Sequence, residues 1–411
     1  MNTGTQILSN GSVMMPPLKG LRVLAFESWG AGAFGSMMVA QLGADVVSIE
    51  NPATGGNPTR AMGPYYFDTD KKESEGFEAS ALNKRCMTIS LKTPQGQEIL
   101  HDLARTADAT FDNLRGDVPD NLGITYKALE KFNPRIVCAH CSGYGRTGPR
   151  RTWPGYDFLM QAECGWMSVT GEPTGMPSRV GVSVVDIMGG VYGALALLAA
   201  VVSARTTGRG RDIDTNLFDI ALNSLCYQGI WYLDEGVVKR TQPRSAHASQ
   251  VPCQLYRASD GWMYIACLVP KYWEKLCELI GRQDLLTDPL FVNNESRLRH
   301  RDELTQILDD IFRRKTKPEW MDELAGMVPC APVFDIGHAL DNPYVRDNRK
   351  ILEIPHPERG VVRVIGSPFQ FDGQQIHPRL GEKLGASTDA ILKELGYDDT
   401  RIANLRKAGA I

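Results

Sequence analysis

The sequence predicts an α/β protein built on a doubly wound parallel sheet, with a second, smaller α+β domain. Three observations carry this. Short apolar runs alternate with helix-like stretches from residue 18 to about residue 145. Each crossover is about one helix long, the connection that parallel strands require. Near residue 253 the alternation gives way to a hairpin pattern followed by amphipathic helices. At 411 residues, 43% hydrophobic and 23% charged, the chain is long enough for two units and ordinary in composition for a soluble globular protein.

Taken in order, residues 1–17 read as a loose N-terminal tail with no basic and apolar leader pattern. LRVLAF (21–26) is the first strand, the Gly/Ala-rich stretch through SMMVAQLG a helix, and ADVVSIE (44–50) the second strand. CMTISL (86–91), a helix over about 93–106 begun by Pro94, ATFDNL (109–114), a helix near 126–132 and PRIVCAHCSGYG (134–145) continue the pattern. The run IMGGVYGALALLAAVV (187–202) is sixteen residues long, shorter than the roughly 20 that span a bilayer. It is expected as a helix packed on both sides inside a soluble core. TTGRGR (206–211) is a turn, and DIDTNLFDIALNSLCYQG another strand-to-helix passage.

The large domain is therefore expected over 18–225, a linker over 226–252, the small α+β domain over 253–328, and a return linker with the C-terminal part of the large domain over 329–411. The small domain should hold a hairpin at Asp260-Gly261 and helices at 271–281, 302–314 and 317–327. A strand pair around Glu358-Arg359-Gly360 and a helix at DAILKELG should close the chain.

Charge excludes some functions. Forty-five Lys plus Arg against 48 Asp plus Glu leave a net charge of −3, too little to draw the molecule onto nucleic acid or an anionic membrane. Nine cysteines without regular spacing read as free thiols of a cytoplasmic protein. Cys138 and Cys141 form a C-x-x-C without a second pair, and three residues apart on a strand they point to opposite faces, so no metal site is expected.

Gly30, Gly32 and Gly35 fit G-x-G-x-x-G between a strand and a helix, with Glu50 ending the next strand. A dinucleotide-binding oxidoreductase is the reading this invites. Against it, Glu27, Ser28 and Trp29 separate the strand from Gly30, which displaces the amides from the pyrophosphate position. Glycines serving close helix packing account for the motif better.

A series of blocks along the chain resembles the family III CoA transferases, a group that includes formyl-CoA transferase, crotonobetainyl-CoA transferases and alpha-methylacyl-CoA racemase. The blocks include LKGLRVLAFESWGAGAFGSMMVAQLGADVVSIENP, LNKRCMTISLKTPQGQEIL, FDNLRGDVPDNLGI, NPRIVCAHCSGYGRTGP, PGYDFLMQAECGWMSVTG, VSVVDIMGGVYGALALLAAV, TTGRGRDIDTNLFDIALN and PCAPVFDIGHALDNPYVR. The resemblance implies a Rossmann-like large domain and an interlaced homodimer. It implies an enzyme that moves CoA from an acyl-CoA to a small carboxylic acid, with acyl-CoA as substrate and no permanently bound cofactor. Asp186, in VVDIMGG, matches the catalytic aspartate, at the start of a long helix whose free amides and dipole should keep it ionised. Amides at Gly30–Gly32 are candidates to meet an oxyanion.

Trp29, Gly30, Tyr156 and His247 are implied near the thioester, His247 within Arg244-Ser245-Ala246-His247, similar to a block usually read G-N-x-H-P. Asn51, Ile89, Lys92, Asn113, Leu114, Arg115 and Tyr144 are implied as CoA contacts. Asn51 stands where the family often has arginine, while Arg146, Arg150 and Arg151 follow Tyr144, so phosphate contacts are expected to have shifted. The racemase branch carries a histidine directly before the aspartate of a G-H-D block. Here Gly155-Tyr156-Asp157 lacks that second base, so transfer is favoured over racemisation.

Overall fold

The structure, a computed structural model, describes residues 6–7, 13–68, 70 and 73–411. The chain packs as two compact units, one of residues 1–164, 181–225 and 348–411, the other of residues 165–180 and 226–347.

In the first unit the apolar runs become β1 (Arg22–Phe26), β2 (Asp45–Glu50), β3 (Arg85–Thr88), β4 (Ala109–Asp112), β5 (Val137–Ser142) and β6 (Arg211–Asn216). They form one six-stranded sheet in the order β3-β2-β1-β4-β5-β6, every pair parallel. This is the doubly wound order, with its topological switch between β1 and β4. α1 (Gly30–Gln41) follows β1, and α2 (Pro94–Thr106) links β3 to β4, its N-cap Thr93 accepting from the Gly96 amide at 3.0 Å. One sheet face is sealed by α2 and by the returning C-terminal helices α10 (Thr388–Glu394) and α11 (Asp399–Lys407). Ile391, Leu392, Ile402 and Leu405 there join Met87, Ile99 and Leu103 in one core.

The other face carries α1 and α4 (Val184–Thr207). They approach closely because glycine faces glycine: a Cβ on Gly35 would stand 2.6 Å from the Gly190 carbonyl, and one on Gly190 2.7 Å from the Gly35 nitrogen. The C-cap of α4 is Gly208 in the left-handed region. α4 is not enclosed on all sides as its composition predicted. It is long and apolar enough to cross a membrane by length and composition, but Gly189, Gly193, Leu197, Val201 and Ala204 are buried against the unit, while Leu195 and Val202 are 67% and 66% exposed. The opposite face leaves Ile187, Val191, Leu195 and Val202 exposed among the described residues.

The second unit contains α5 (Cys226–Glu235) and the antiparallel sheet of β7 (Cys253–Ala258), β8 (Gly261–Ala266) and β9 (Cys330–Pro332), in the order β9-β8-β7. α6 (Pro270–Leu279), α7 (Asn294–Arg299), α8 (Arg301–Phe312) and α9 (Lys317–Leu324) pack on it around Tyr256, Met263, Trp273, Phe312 and Trp320. The expected hairpin turn appears, with Ala258 facing Gly261.

The unit extends further than the 253–328 expected. Its extra part, 165–180, is tied in by Thr241 N donating to the Ser168 carbonyl and Arg244 N to Glu172 Oε1, at 3.1 and 2.9 Å. The stretch expected as a linker over 226–252 holds helix α5, and the return to the first unit falls at residue 348. There β10 (Ile351–His356) and β11 (Gly360–Ile365) form the expected strand pair. Within the expected tail, Gln6–Ile7 pairs with Val13–Met14, and the rest of 1–12 lies outside the described residues.

Candidate active site

The site is built where α1 and α4 begin, beside the carboxyl ends of the strands. Asp186 lies in the first turn of α4 and is half-buried. Its Oδ2 would stand 2.1 Å from a Cβ on Gly30, so the carboxylate rests directly on the backbone that opens α1. Only glycine permits that approach.

The cap of α4 does not come from its own sequence. Ser183, at the N-cap, makes no side-chain cap hydrogen bond. Asp157, at the first position of α3 (Asp157–Glu163), supplies it: its Oδ2 accepts from Val185 N at 2.6 Å and Asp186 N at 3.3 Å. Gln161 Nε2 donates to the other oxygen, Oδ1, at 2.6 Å. Asp157 is 1% exposed. Burial, helped by the negative charge of Asp157, pushes the Asp186 carboxyl up from 3.8 to about 6.

This corrects the expectation that free amides hold Asp186 ionised. The amides of Val185 and Asp186 are taken by Asp157. Roughly nine-tenths of Asp186 is still ionised at pH 7 with a pKa near 6.

The loop before α1 is held from beneath. Asn113 Oδ1 accepts from Ser28 N at 2.8 Å and its Nδ2 donates to the Ser28 carbonyl at 2.6 Å. Lys84 Nζ reaches Glu27 Oε1 at 2.5 Å and the Ala33 carbonyl at 2.8 Å, deep in the protein. Between these anchors Trp29 adopts φ +61°, a conformation that a bulky residue rarely adopts, and the residue is 42% exposed. Gly30 thus stands against Asp186, with Trp29 directly before it in the chain. Asn113 is spent on the loop.

Tyr156 precedes Asp157 as N-cap of α3, 48% exposed and stacked on Phe158. Leu114 and Arg115 follow Asn113. The Arg115 guanidinium is exposed and bidentate to Asp117, at 2.6 and 2.9 Å. Tyr144 donates to Glu163 Oε2 at 3.0 Å, under the guanidinium of Arg150. Arg146 is paired with Asp120 and Asp214, and Arg150 with Glu163. Lys92 is exposed. Asn51 caps a short turn by accepting from Ala53 N. Ile89 is 2% exposed, inside the core beside Met87. His247 belongs to the second unit.

The dinucleotide reading fails on Glu50. This acid would have to reach a ribose, but it is 3% exposed and bidentate to Arg60 at 2.7 and 2.8 Å, and it also accepts from Asn57 N. Burial raises its pKa, and the Arg60 hydrogen bonds and charge more than reverse that, holding it below the usual range. The glycines of the motif pack against Asp186, Asn113 and Gly190.

Cys138 and Cys141 are buried on opposite faces, Cys138 in the core beneath α2 and Cys141 with its thiol toward the Gly189 carbonyl, 3.7 Å away. Among the described residues no group of His, Cys, Asp and Glu could hold a metal. Two features escaped sequence reasoning: the cap from Asp157, whose partners lie 28 and 29 residues on, and the clamp from Asn113 to Ser28, 85 residues back.

The first unit thus joins a doubly wound parallel sheet to a carboxylate seated on the glycine that opens α1, with a second acid capping its helix. The description of CoA-transferase family III matches residues 18–386, and the chain belongs to that family. It is a CoA transferase, with acyl-CoA as substrate. The succinate–glutarate CoA-transferase of Agrobacterium fabrum is 31% identical, over 92% of this chain and 96% of that protein. The acetyl-CoA:oxalate CoA-transferase of Acetobacter aceti is 32% identical, over 94% and 97%. A CAIB/BAIF family protein from Brucella suis shares the structure at a TM-score of 0.79 and 31% identity, covering 92% of this chain and 99% of that one.

Proposed function

We propose that Asp186 is the nucleophile of a covalent CoA transfer from an acyl-CoA to a small dicarboxylic acid. The observation that carries this is a half-buried carboxylate seated on Gly30, with a capping carboxylate behind it.

An Asp186 oxygen attacks the thioester carbonyl; the C–S bond breaks, leaving a mixed anhydride and the CoA thiolate. The thiolate attacks the aspartyl carbonyl of the anhydride, forming an aspartyl-CoA thioester and releasing the donor acid as its carboxylate. The incoming carboxylate reverses both steps and leaves as the new acyl-CoA. Each covalent state removes the charge of Asp186 from beside Asp157, so their repulsion disfavours the free carboxylate relative to the acylated enzyme. The first amides of α1, which have no acceptor within the helix, serve the oxyanion.

Relatives named for succinate, glutarate and oxalate support a dicarboxylate acceptor. Lys92, Arg115, Leu114, Tyr144 and Asn51 are proposed for CoA, with the Arg115–Asp117 pair exchanging for phosphate. The exposed stripe Ile187, Val191, Leu195 and Val202 of α4 suits burial against a second copy in an interlaced homodimer. A reducing, cytoplasmic setting suits nine free cysteines.

The test is mass spectrometry after incubation with a panel of acyl-CoAs and hydroxylamine, beside Asp186→Ala. A hydroxamate on Asp186 is expected. Deuterium exchange at the alpha carbon without any adduct would instead make the enzyme a racemase.

A further inference from the structure

Behind the loop that carries Gly30 lies a buried histidine that the proposed transfer does not use. His140, on β5, is 1% exposed, and Asp112, opposite it at the end of β4, is fully buried. His140 Nδ1 stands 2.5 Å from Asp112 Oδ2, and Nε2 stands 3.1 Å from Oδ1 of Asp212 on β6. A carboxylate oxygen only accepts, so a ring that satisfies both contacts donates from both nitrogens and is the imidazolium. Burial lowers the imidazole, and the two carboxylates more than reverse that, to about 9.

The charged groups facing the ring are these two acids and, beyond Asp212, Arg146, whose Nη1 is 3.8 Å from Asp212 Oδ1 and which is shared with Asp120 and Asp214. Cys138, two residues before His140 on the same strand face, is pushed up by burial and stays a neutral thiol. Asp212 also accepts from Tyr126 N at 2.7 Å.

The cluster shapes the turn after β4. Asp112 Oδ1, the oxygen away from the ring, accepts from Leu114 N at 3.1 Å. Asn113 lies between them, and from there its side chain grips the amide and carbonyl of Ser28. It also packs against the next turn: a Cβ on Gly32 would stand 2.6 Å from Asn113 Oδ1. Two residues after Ser28, Gly30 meets Asp186. Every link lies in the first unit.

We infer that His140 is a positioning residue for CoA transfer: its imidazolium fixes Asp112 and, through Asn113 and Ser28, the opening of α1 on which Asp186 rests. The inference rests on Asp186 as the nucleophile. Without the ring charge Asp112 is a buried carboxylate that has lost its counter-charge. The turn that follows it is then drawn toward water, and the grip on Ser28 loosens.

The test uses the whole protein carrying 5-fluorotryptophan, with Trp29→Phe marking one ¹⁹F signal among the seven tryptophans. The Trp29 signal should move as pH rises through about 9, and transfer from succinyl-CoA to glutarate should slow over the same range. His140→Gln should transfer about 100-fold more slowly, the cost of a reacting group displaced by about 1 Å. The double variant Asp112→Asn, His140→Gln should recover to within about tenfold of wild type and lose the alkaline fall. In it the carboxamide at 112 keeps an oxygen for Leu114 N and gives an N–H to the carboxamide at 140, whose own N–H reaches Asp212. A Trp29 signal flat to pH 10, an alkaline fall retained in the double variant, or a double variant no faster than His140→Gln would overturn the inference. Should His140→Gln fail to fold, the wild type and the double variant decide. The ¹⁹F arm needs no turnover, so failure of the hydroxamate experiment would remove the covalent mechanism and leave this measurement readable by itself.

Discussion

Replacing Asp157 by Asn separates its two effects on Asp186. The variant keeps a carbonyl oxygen to cap Val185 and Asp186, and its new amide group can face Gln161 if that side chain turns over its own amide. The cap survives and the charge is lost. Asp186 stands at about 6 against an ordinary 3.8, with burial the larger cause and Asp157 the smaller. The Asp157 share is therefore less than half of a displacement of about 2, or at most about 1 pH unit, on the order of 1 kcal/mol.

The sign follows from the proposed mechanism. There only ionised Asp186 attacks, so kcat/KM of the wild type should fall as pH drops through about 6. In Asp157→Asn that fall should move to lower pH by up to about one unit. The assay is the initial rate of transfer at limiting acyl-CoA from pH 4.5 to 8, with hydroxamate formation on Asp186 as a chemical readout. An acid limb that stays in place, or moves up, refutes the electrostatic role of Asp157 even if the rate changes.

Four further outcomes are expected. Gly30→Ala sets a methyl 2.1 Å from Asp186 Oδ2, so the carboxylate must swing away; hydroxamate labelling should fall by about 100-fold, with circular dichroism unchanged. Asn113→Ala leaves the Ser28 amide and carbonyl without their partner and should cost about 1–3 kcal/mol in urea unfolding. Asp186→Asn removes a carboxylate whose folded pKa is raised, and such a group contributes stability below about 3.8 and loses it as pH rises through about 6. The variant should therefore gain thermal stability over the wild type at pH 7, a gain that shrinks as pH falls and vanishes well below 3.8. His140, whose Nδ1 lies 2.5 Å from Asp112 and Nε2 3.1 Å from Asp212, is lowered by burial but raised more by these carboxylates, to about 9. Its contribution is complete below about 6.5 and lost as pH rises through about 9, so the wild type should lose stability over that range and His140→Gln should not.

The sheet was legible because its signals are local. VVSIE between a glycine-rich and a proline-containing stretch, or Pro94 behind Thr93, specifies an element without reference to anything distant. The final helix Asp399–Lys407 was missed because it is polar, burying Ile402 and Leu405 alone, although Asp398 caps it through Arg401 N. The exposed face of α4 was missed because sixteen apolar residues carry no mark of which will be covered. The position of Asp186 at the start of a Gly-rich helix was legible in the sequence. Its raised pKa was not, since that depends on Asp157, an acid 29 residues away whose proximity only the fold creates.

The same logic explains why a sheet with dinucleotide-binding topology serves another chemistry. In such folds the helix after the first strand offers unpaired amides to a pyrophosphate, and an acid at the end of the second strand takes the ribose. Here both positions are filled from within. Arg60 closes on Glu50 and removes the ribose acid from solvent. The three residues Glu27, Ser28 and Trp29, clamped by Lys84 and Asn113, carry the start of α1 to the head of α4, where Gly30 meets Asp186. The anion at that helix terminus has become a side chain of the protein. A bound phosphate there would be a ligand, whereas in the proposed transfer the tethered carboxylate is the reagent, and Gly30 is what lets it approach.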